Sequence, residues 1–186
     1  MSRDRGRALG HRVRIHMPAW MSVERKEILR AFGAELVEIS RDDGGFVGAI
    51  GRATEEGTRP ARFCPRQFSN RWHVEAHALT TGPEIVRQLE SVELEPTAFV
   101  AGVGTGGTIM GVGHCLRALH PGVRLYPVEP AESPVLSHGR SAAHHRIQGI
   151  SDEFVPEILE LTALDEVLAV HDGDAIRMAQ RLAREL

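Results

Sequence analysis

The sequence predicts an α/β protein with mostly parallel sheets and flanking helices over its 186 residues. Apolar, strand-like runs alternate with helical patterns along the whole chain, which is the order expected of parallel βα units. Hydrophobic residues make up 42% of the chain and charged residues 25%, as in ordinary globular proteins. The chain has no internal repeat, and it is long enough for one sizeable core or two small lobes.

The first third of the chain contains two predicted strand–helix pairs. His11–Pro18 alternates apolar and polar residues as a strand does, and a helix follows from the N-cap Ser22 to a stop at Gly33. Ala34–Ser40 is strand-like again. A weaker helix is predicted over Phe46–Gly57, because its internal glycines count against helix formation.

The rest of the chain contains three predicted strands and three helices. In chain order, the patterns predict a long helix over Trp72–Glu90, a fully buried strand over Thr97–Val103, a helix over Thr108–Leu119, a strand over Val123–Pro130, and a final strand and helix divided by the cap Asp172. Ser133–Ile158 has no clear period, so we expect a long functional loop there.

Composition excludes several classes of function. The net charge of −3 argues against a nucleic-acid or membrane-surface protein that binds by bulk charge, and no apolar run could cross a bilayer. The basic N-terminus lacks the apolar centre of a secretory signal. Cys64 and Cys115 form no disulfide framework, so we expect a reducing cytoplasm.

The strongest local feature is a glycine-rich stretch, Ala101–Gly113, between a predicted strand and a predicted helix. Free backbone N–H groups and the positive end of the helix dipole can hold a phosphate there, and Thr105 and Thr108 add hydroxyl donors. The stretch lacks the Lys-Ser/Thr ending of a P-loop, so ATP or GTP hydrolysis is not expected. A GxGxxG pattern from Gly102 leaves dinucleotide binding open as an alternative. A tight turn that binds no ligand is the other alternative.

Six motifs then follow a fixed order along the chain: MPAWMSVERKEILRAFGAEL, QFSN, TTGPEI, GVGTGGTIMGV, VEPAESPV and IQGI. This set resembles the cysteine synthases and the related cystathionine β-synthases, which depend on pyridoxal 5'-phosphate (PLP). MSVER and TTGPEI favour the cysteine synthases. The resemblance covers nearly the whole chain and implies part of a two-lobed, tryptophan-synthase-β-like fold, with residues 1–67 as a remnant of the smaller lobe and 68–186 as the larger lobe.

The resemblance also implies roles for individual residues. Those that would cradle the PLP phosphate are Gly104, Thr105, Gly106, Gly107 and Thr108. Gly149 would line the site near the cofactor, and the side-chain amide of Gln67 would lie near the carboxylate of an amino-acid substrate. The reaction implied is the replacement of the leaving group of O-acetylserine, or a related activated serine, by sulfide to give cysteine.

Family partners follow from the same resemblance. Full-length cysteine synthases are typically homodimers and can bind serine acetyltransferase through the active-site cleft. Much of that cleft is expected to be absent from this chain, so we expect the docking to be lost here. Adjacent histidines in the predicted loop, His144 and His145 with His138 nearby, favour solvent-exposed side chains over a metal site because they lack carboxylate partners.

The chemistry of the family needs a lysine, and Lys26 is the one lysine in this sequence. It matches no catalytic position and is interpreted as a solvated charge on a helix. Both ends resemble interrupted elements, since Gly10 looks like a helix stop with little before it and the last helix runs to Leu186. We therefore expect a chain that is inactive alone. Open alternatives are a non-catalytic binding partner of a full-length homologue, an incomplete gene product and a nucleotide-binding protein.

Overall fold

The structure is a computed structural model that describes residues 6–139, 145–147, 149–150 and 153–185. The chain divides into two compact units, Met1–Arg66 and Gln67–Leu186. Both contain parallel sheet with helices packed on it, which confirms the predicted α/β class. None of the helices in the described ranges has the length and apolar character that a membrane span requires.

The first unit is a small parallel βαβ arrangement followed by a helix. Its elements are strand β1 (Arg14–Pro18), helix α1 (Val23–Ala31), strand β2 (Glu35–Ile39) and helix α2 (Gly45–Gly57). The hydroxyl of Ser22 accepts a hydrogen bond from the Arg25 amide at 3.4 Å, so α1 begins at its predicted cap. Gly33, with a φ of 73°, follows the end of α1. Leu29 and Ile39 are buried in the core of this unit.

The second unit is larger and carries a three-stranded parallel sheet in the order β3-β4-β5. Its elements are helices α3 (Trp72–Leu79) and α4 (Thr81–Glu90), strand β3 (Ala98–Gly102), helix α5 (Gly107–Leu119), strand β4 (Arg124–Pro130), the short helix α6 (Val135–His138), a 3-10 turn (Leu161–Ala163), strand β5 (Leu168–Val170) and helix α7 (Asp172–Glu185). The predicted loop over Ser133–Ile158 therefore contains one short helix.

The prediction of one long helix over Trp72–Glu90 is wrong, because the helix is broken at Thr80 into α3 and α4. The backbone of Thr80 has φ −123° and ψ −71°, which is not helical. Pro83 then falls in the first turn of α4, where the amide that proline lacks would have no helical acceptor. The proline thus belongs to a helix start and not to a helix interior.

Strand β3 is exposed on one face, which corrects the prediction of a fully buried strand. Its side chains alternate between exposed and half-buried, and Val100 is 53% exposed. Phe99 and Ala101 point the other way and pack against the core. Within the described residues β3 pairs with β4 alone, so it is an edge strand of the sheet.

Helix α5 is the centre of the second unit. Ile109, Met110, Val112 and Leu116 are each at most 1% exposed. Two apolar clusters form along it: Val86, Val112, Leu116, Val123 and Leu125 towards its C-terminal end, and Val103, Ile109, Met110, Leu136 and Leu159 beneath its N-terminus. Helix α3 lies so close that a β-carbon at Gly111 would collide with the Val74 carbonyl. The N-terminus of α5 is therefore held in place by a packed apolar cluster.

Candidate functional site

The β3–α5 loop presents the N-terminus of α5 without a side-chain cap. The N-cap is Gly106, which has φ 86° and ψ −12°, a left-handed conformation that favours glycine. No side chain in the described part of the chain caps this helix, and the Gly107 amide makes one long contact, 3.4 Å to Thr105 Oγ1. The leading N–H groups and the positive end of the helix dipole are thus available to an anion.

Neighbouring segments approach this loop so closely that side chains would not fit. A β-carbon added at Gly104 would collide with the carbonyl oxygen of Gly149. One added at Gly107 would lie 2.8 Å from the His73 ring, and one at Gly106 would lie 3.0 Å from Leu159. The structure therefore brings the predicted residues Gly104–Thr108 together with Gly149, whose φ is 95°.

Two histidines that the sequence did not single out lie beside the loop. His77 Nε2 is 3.2 Å from Thr108 Oγ1, and its Nδ1 is 2.9 Å from Thr81 Oγ1. The His73 ring is 5.4 Å from the His77 ring. Burial lowers the pKa of His77 below 6.5 and the charge of His73 lowers it further, so the imidazole is neutral at pH 7. The sequence signal that could have identified these two histidines is their i, i+4 spacing, which places them on one face of a helix.

Gln67 is connected to the same loop through its backbone. Its carbonyl oxygen lies 3.3 Å from His73 Nδ1, and the His73 ring lies against Gly107. The residue is exposed and begins the second unit. A substrate contact by its side-chain amide stays a prediction.

Lys26 is engaged in an ion pair in the first unit, which corrects its interpretation as a solvated charge. Its ammonium donates to the Ala19 carbonyl at 2.6 Å and to Glu38 Oε2 at 2.7 Å, and its side chain is 14% exposed. The ion pair lowers the pKa of Glu38. Lys26 therefore joins α1 to β2 as a structural residue.

Metal ligation finds no support in the described ranges, where no group of three or more His, Cys, Asp or Glu side chains could hold an ion. His138 is exposed at the end of α6, and His145 is half-buried. His144 lies outside the described residues. Cys64 and Cys115 are free thiols.

A family model described as pyridoxal-phosphate-dependent enzyme matches residues 5–186. The chain belongs to this family. PLP enzymes need a seat for the phosphate of their cofactor. The loop at Gly104–Gly107 fits such a group, because it combines an uncapped helix N-terminus with a close backbone approach that leaves no room for a β-carbon.

Curated relatives of this PLP family carry cysteine synthase names. The chain is 40% identical to a cysteine synthase of Staphylococcus aureus over 178 residues, which are 96% of this chain and 56% of that protein. It is 41% identical to a probable cysteine synthase of Bacillus subtilis over 179 residues, covering 96% of this chain and 57% of that protein. The chain thus spans about half the length of the curated relatives it matches.

Solved structures agree on the fold. A hydrogen sulfide-producing enzyme from Fusobacterium nucleatum superposes with a TM-score of 0.93 at 48% identity, over 98% of this chain and 55% of that one. A cysteine synthase from Entamoeba histolytica gives a TM-score of 0.81 at 36% identity, over 96% of this chain and 52% of that one. The backbone described above is therefore the PLP-enzyme fold of these relatives.

Proposed function

We propose that this chain provides the phosphate-binding lobe of a cysteine synthase, with Gly104–Thr108 as the seat of the PLP phosphate. The observation that carries the proposal is the N-terminus of α5, which no side chain of the described residues caps. The chain's family uses a cofactor that bears a phosphate, and such an uncapped helix start can hold it. In the same proposal, residues 1–67 are the remnant of the smaller lobe and 68–186 belong to the larger lobe.

The proposed reaction replaces the leaving group of an activated serine such as O-acetylserine with sulfide, which gives cysteine. The cysteine synthase names of curated relatives that are 40% and 41% identical support it. Bound PLP supplies the electron withdrawal that weakens bonds at the amino-acid α-carbon. This chain's own residues bind and orient: the loop holds the phosphate, Gly149 lines the cofactor, and the Gln67 amide hydrogen-bonds the substrate carboxylate.

His77 has a defined part in this arrangement. A neutral imidazole offers one N–H donor and one acceptor nitrogen, and here the two nitrogens contact two hydroxyls. When Nε2 carries the proton it donates to Thr108 Oγ1, while Nδ1 accepts the Thr81 hydroxyl proton. The Thr108 hydroxyl proton is then free to donate to the phosphate.

A second candidate function is that of a non-catalytic partner of a full-length homologue, favoured by the state of Lys26. The ammonium of this one lysine is held by Ala19 and Glu38, so we predict that the 186-residue chain alone binds PLP without a lysine bond and makes no cysteine. Borohydride reduction followed by mass spectrometry should find no PLP-modified lysine. A modified Lys26 together with cysteine formation would contradict this prediction.

Titration of the chain with PLP, NAD and ATP tests the proposal directly. We expect PLP to bind and inorganic phosphate to compete with it, because both place an anion at the α5 N-terminus. NAD and ATP are expected not to bind. Saturation by NAD with no binding of PLP would refute the proposed function and favour a nucleotide-binding protein.

Partners and location belong to the same proposal. We propose an amino-acid substrate and, as in the family, a homodimer, which sedimentation analysis of the purified chain can test. Docking of serine acetyltransferase is expected to be absent, and a tight complex in a pull-down would contradict this. We propose a cytoplasmic location because Cys64 and Cys115 are free thiols, and this location stays a prediction.

A further inference from the structure

Arg146, three residues before Gly149, connects this part of the chain to the start of helix α7. Arg146 makes three hydrogen bonds to a single carboxylate, that of Asp172. Its backbone N–H and Nε donate to Asp172 Oδ2 at 3.1 and 3.0 Å, and its Nη2 donates to Oδ1 at 2.8 Å. A bidentate guanidinium fixes direction as well as distance, which a single charge contact would not do.

Asp172 is itself fixed on the α7 side. It is the first residue of α7, and its backbone N–H lies 3.3 Å from both carboxylate oxygens of Glu132. Glu132 also contacts His171 Nδ1 at 3.1 Å. The hydrogen bonds from Arg146 lower the pKa of Asp172 to about 2, and those to Asp172 raise the pKa of Arg146, so both stay charged at neutral pH. The Asp172 side chain is only 14% exposed.

Residues 149–150 lie against the start of the phosphate-binding loop. The Gly149 carbonyl oxygen is 2.4 Å from the β-carbon position of Gly104, and Ile150 Cγ2 is 3.2 Å from that of Gly102. Gly104 and Gly102 precede the N-cap of α5 by two and four residues. Residues 149–150 therefore form a wall of the loop, and their position decides how much space the loop has.

We propose that Arg146 and Asp172 are positioning residues that seat residues 149–150 against the phosphate-binding loop. The ion pair transmits the fixed position of the α7 N-terminus to Gly104 through the Gly149 carbonyl. Its consequence for PLP affinity rests on the proposed function, whereas the ordering of the loop does not. Arg146 acts through Gly149, and we assign it no contact with cofactor or substrate.

Breaking the pair should loosen the loop while leaving the fold intact. Arg146 is 65% exposed, and exposed ion pairs contribute little to global stability, so we expect a small change in melting temperature. The amides of the β3–α5 loop should exchange faster in R146Q. PLP affinity should fall about tenfold, as is typical of coupling between adjacent structural units.

The experiment compares R146Q, D172N and the double variant with R117Q as the matched control. Arg117 also pairs with a carboxylate in the second unit, Asp165 at 2.7 Å, but its other contacts are the carbonyls of Val123 and Ala163. Hydrogen–deuterium exchange of peptides covering residues 103–108, measured without ligand, is the first measurement. PLP affinity by titration is the second.

The proposal expects faster loop exchange and equal PLP losses in R146Q, D172N and the double variant, since residues that act through one contact are not additive. R146K, which keeps the charge but loses the planar fork, should recover part of the affinity. R117Q should lower the melting temperature without changing loop exchange. Unchanged loop exchange in R146Q and D172N would overturn the proposal. Faster loop exchange in a chain that does not bind PLP would support the positioning role and refute the proposed function instead.

Discussion

Helices α2 and α5 both begin after a glycine in the left-handed region, and the two helix starts are used in opposite ways. Gly44 precedes α2 with φ 93°, and Gly106 precedes α5 with φ 86°, in both cases without a side-chain cap. At α2, the amides of Gly44 and Gly45 donate to the carbonyls of Arg41 and Ser40, each at 3.0 Å. At α5, the one contact of the Gly107 amide with a described residue is the long one to the Thr105 hydroxyl.

The difference separates a helix start that closes on its own backbone from one that is open to a ligand. Asp43, just before α2, places a carboxylate there and pairs with Arg52 at 2.9 Å. Neither helix has an acidic residue in its first turn, but the residue before the N-cap of α5 is the uncharged Thr105. An anion is thus disfavoured at α2 by like charge and favoured at α5 by the helix dipole. A glycine N-cap alone does not define an anion site. The hydrogen bonding of the first amides does.

Filling the space at Gly104 should have the largest effect on the open helix start. In G104A the new methyl group displaces the Gly149 carbonyl, and we expect PLP affinity to fall about 100-fold, because displacements near 1 Å are that costly at binding sites. The control is G51A in α2, where nothing lies within 4 Å of the added carbon. G51A should leave PLP binding unchanged and stabilise the chain by about 0.5–1 kcal/mol. Equal affinities of G104A and wild type would refute the steric argument.

Alanine at the two N-cap glycines tests the comparison directly. G44A and G106A both place a side chain at positive φ, so each should destabilise the fold by about 1–2 kcal/mol in urea unfolding. Only G106A should also weaken PLP binding, since α2 keeps its first amides paired to its own backbone. If G44A weakened PLP binding as much as G106A, the contrast between the two helix starts would be wrong.

Removing the Thr108 hydroxyl should have a moderate effect. T108V deletes one of the proposed donors to the phosphate, and hydrogen bonds to charged groups are strong enough that we expect about a tenfold loss of PLP affinity. The melting temperature should change little, because Thr108 is only partly buried. T58V is the control, since Thr58 donates to the Glu55 carbonyl at the end of α2, away from any helix start. A tenfold loss in T58V as well would point to a general effect of the substitution.

The smallest expected effect is a pH dependence that comes from His77. Folding lowers its pKa below 6.5, so the unfolded chain takes up a proton there more readily as the pH falls. Its stability contribution is complete above about pH 6.5 and is lost as the pH falls towards the folded pKa. H77Q should therefore flatten the decline of unfolding free energy as the pH falls below about 6.5.

His16 serves as the control for this pH dependence, because burial also lowers its pKa but it lies on β1 in the first unit. H16Q should flatten the stability profile in the same direction. Only H77Q should alter the pH profile of PLP affinity relative to wild type. A PLP profile that is identical in H77Q and wild type would show that His77 does not act on the loop.

Local rules predicted the strands, most helices and the glycine loop well. The alternation in His11–Pro18 and the apolar spacing of Ile109, Val112 and Leu116 are properties of the segments themselves. The glycine-rich stretch Ala101–Gly113 was found because glycine between a strand and a helix has a local conformational meaning, whereas its narrowing to Gly104–Thr108 came from the family resemblance. These features need no knowledge of distant contacts.

Errors arose where the answer depended on neighbours in space. Val100 is apolar in an apolar run, yet its exposure depends on which strands and helices cover β3. The ion pair of Lys26 with Glu38 joins residues on different elements, and the contact of His77 with Thr108 spans 31 positions. The break at Thr80 was the exception, because Pro83 already marks a helix start in the sequence.

The close approach of α3 to α5 restricts which substitutions the second unit can tolerate. A β-carbon at Gly107 meets the His73 ring at 2.8 Å, and one at Gly111 meets His77 Cβ at 2.6 Å. In a saturation library of the chain, these two positions should retain glycine almost alone. In the same unit, Gly122 and Gly139 have open space around them, although the positive φ of Gly139 still restricts it. Tolerance to mutation in this unit should therefore follow the spacing between its helices.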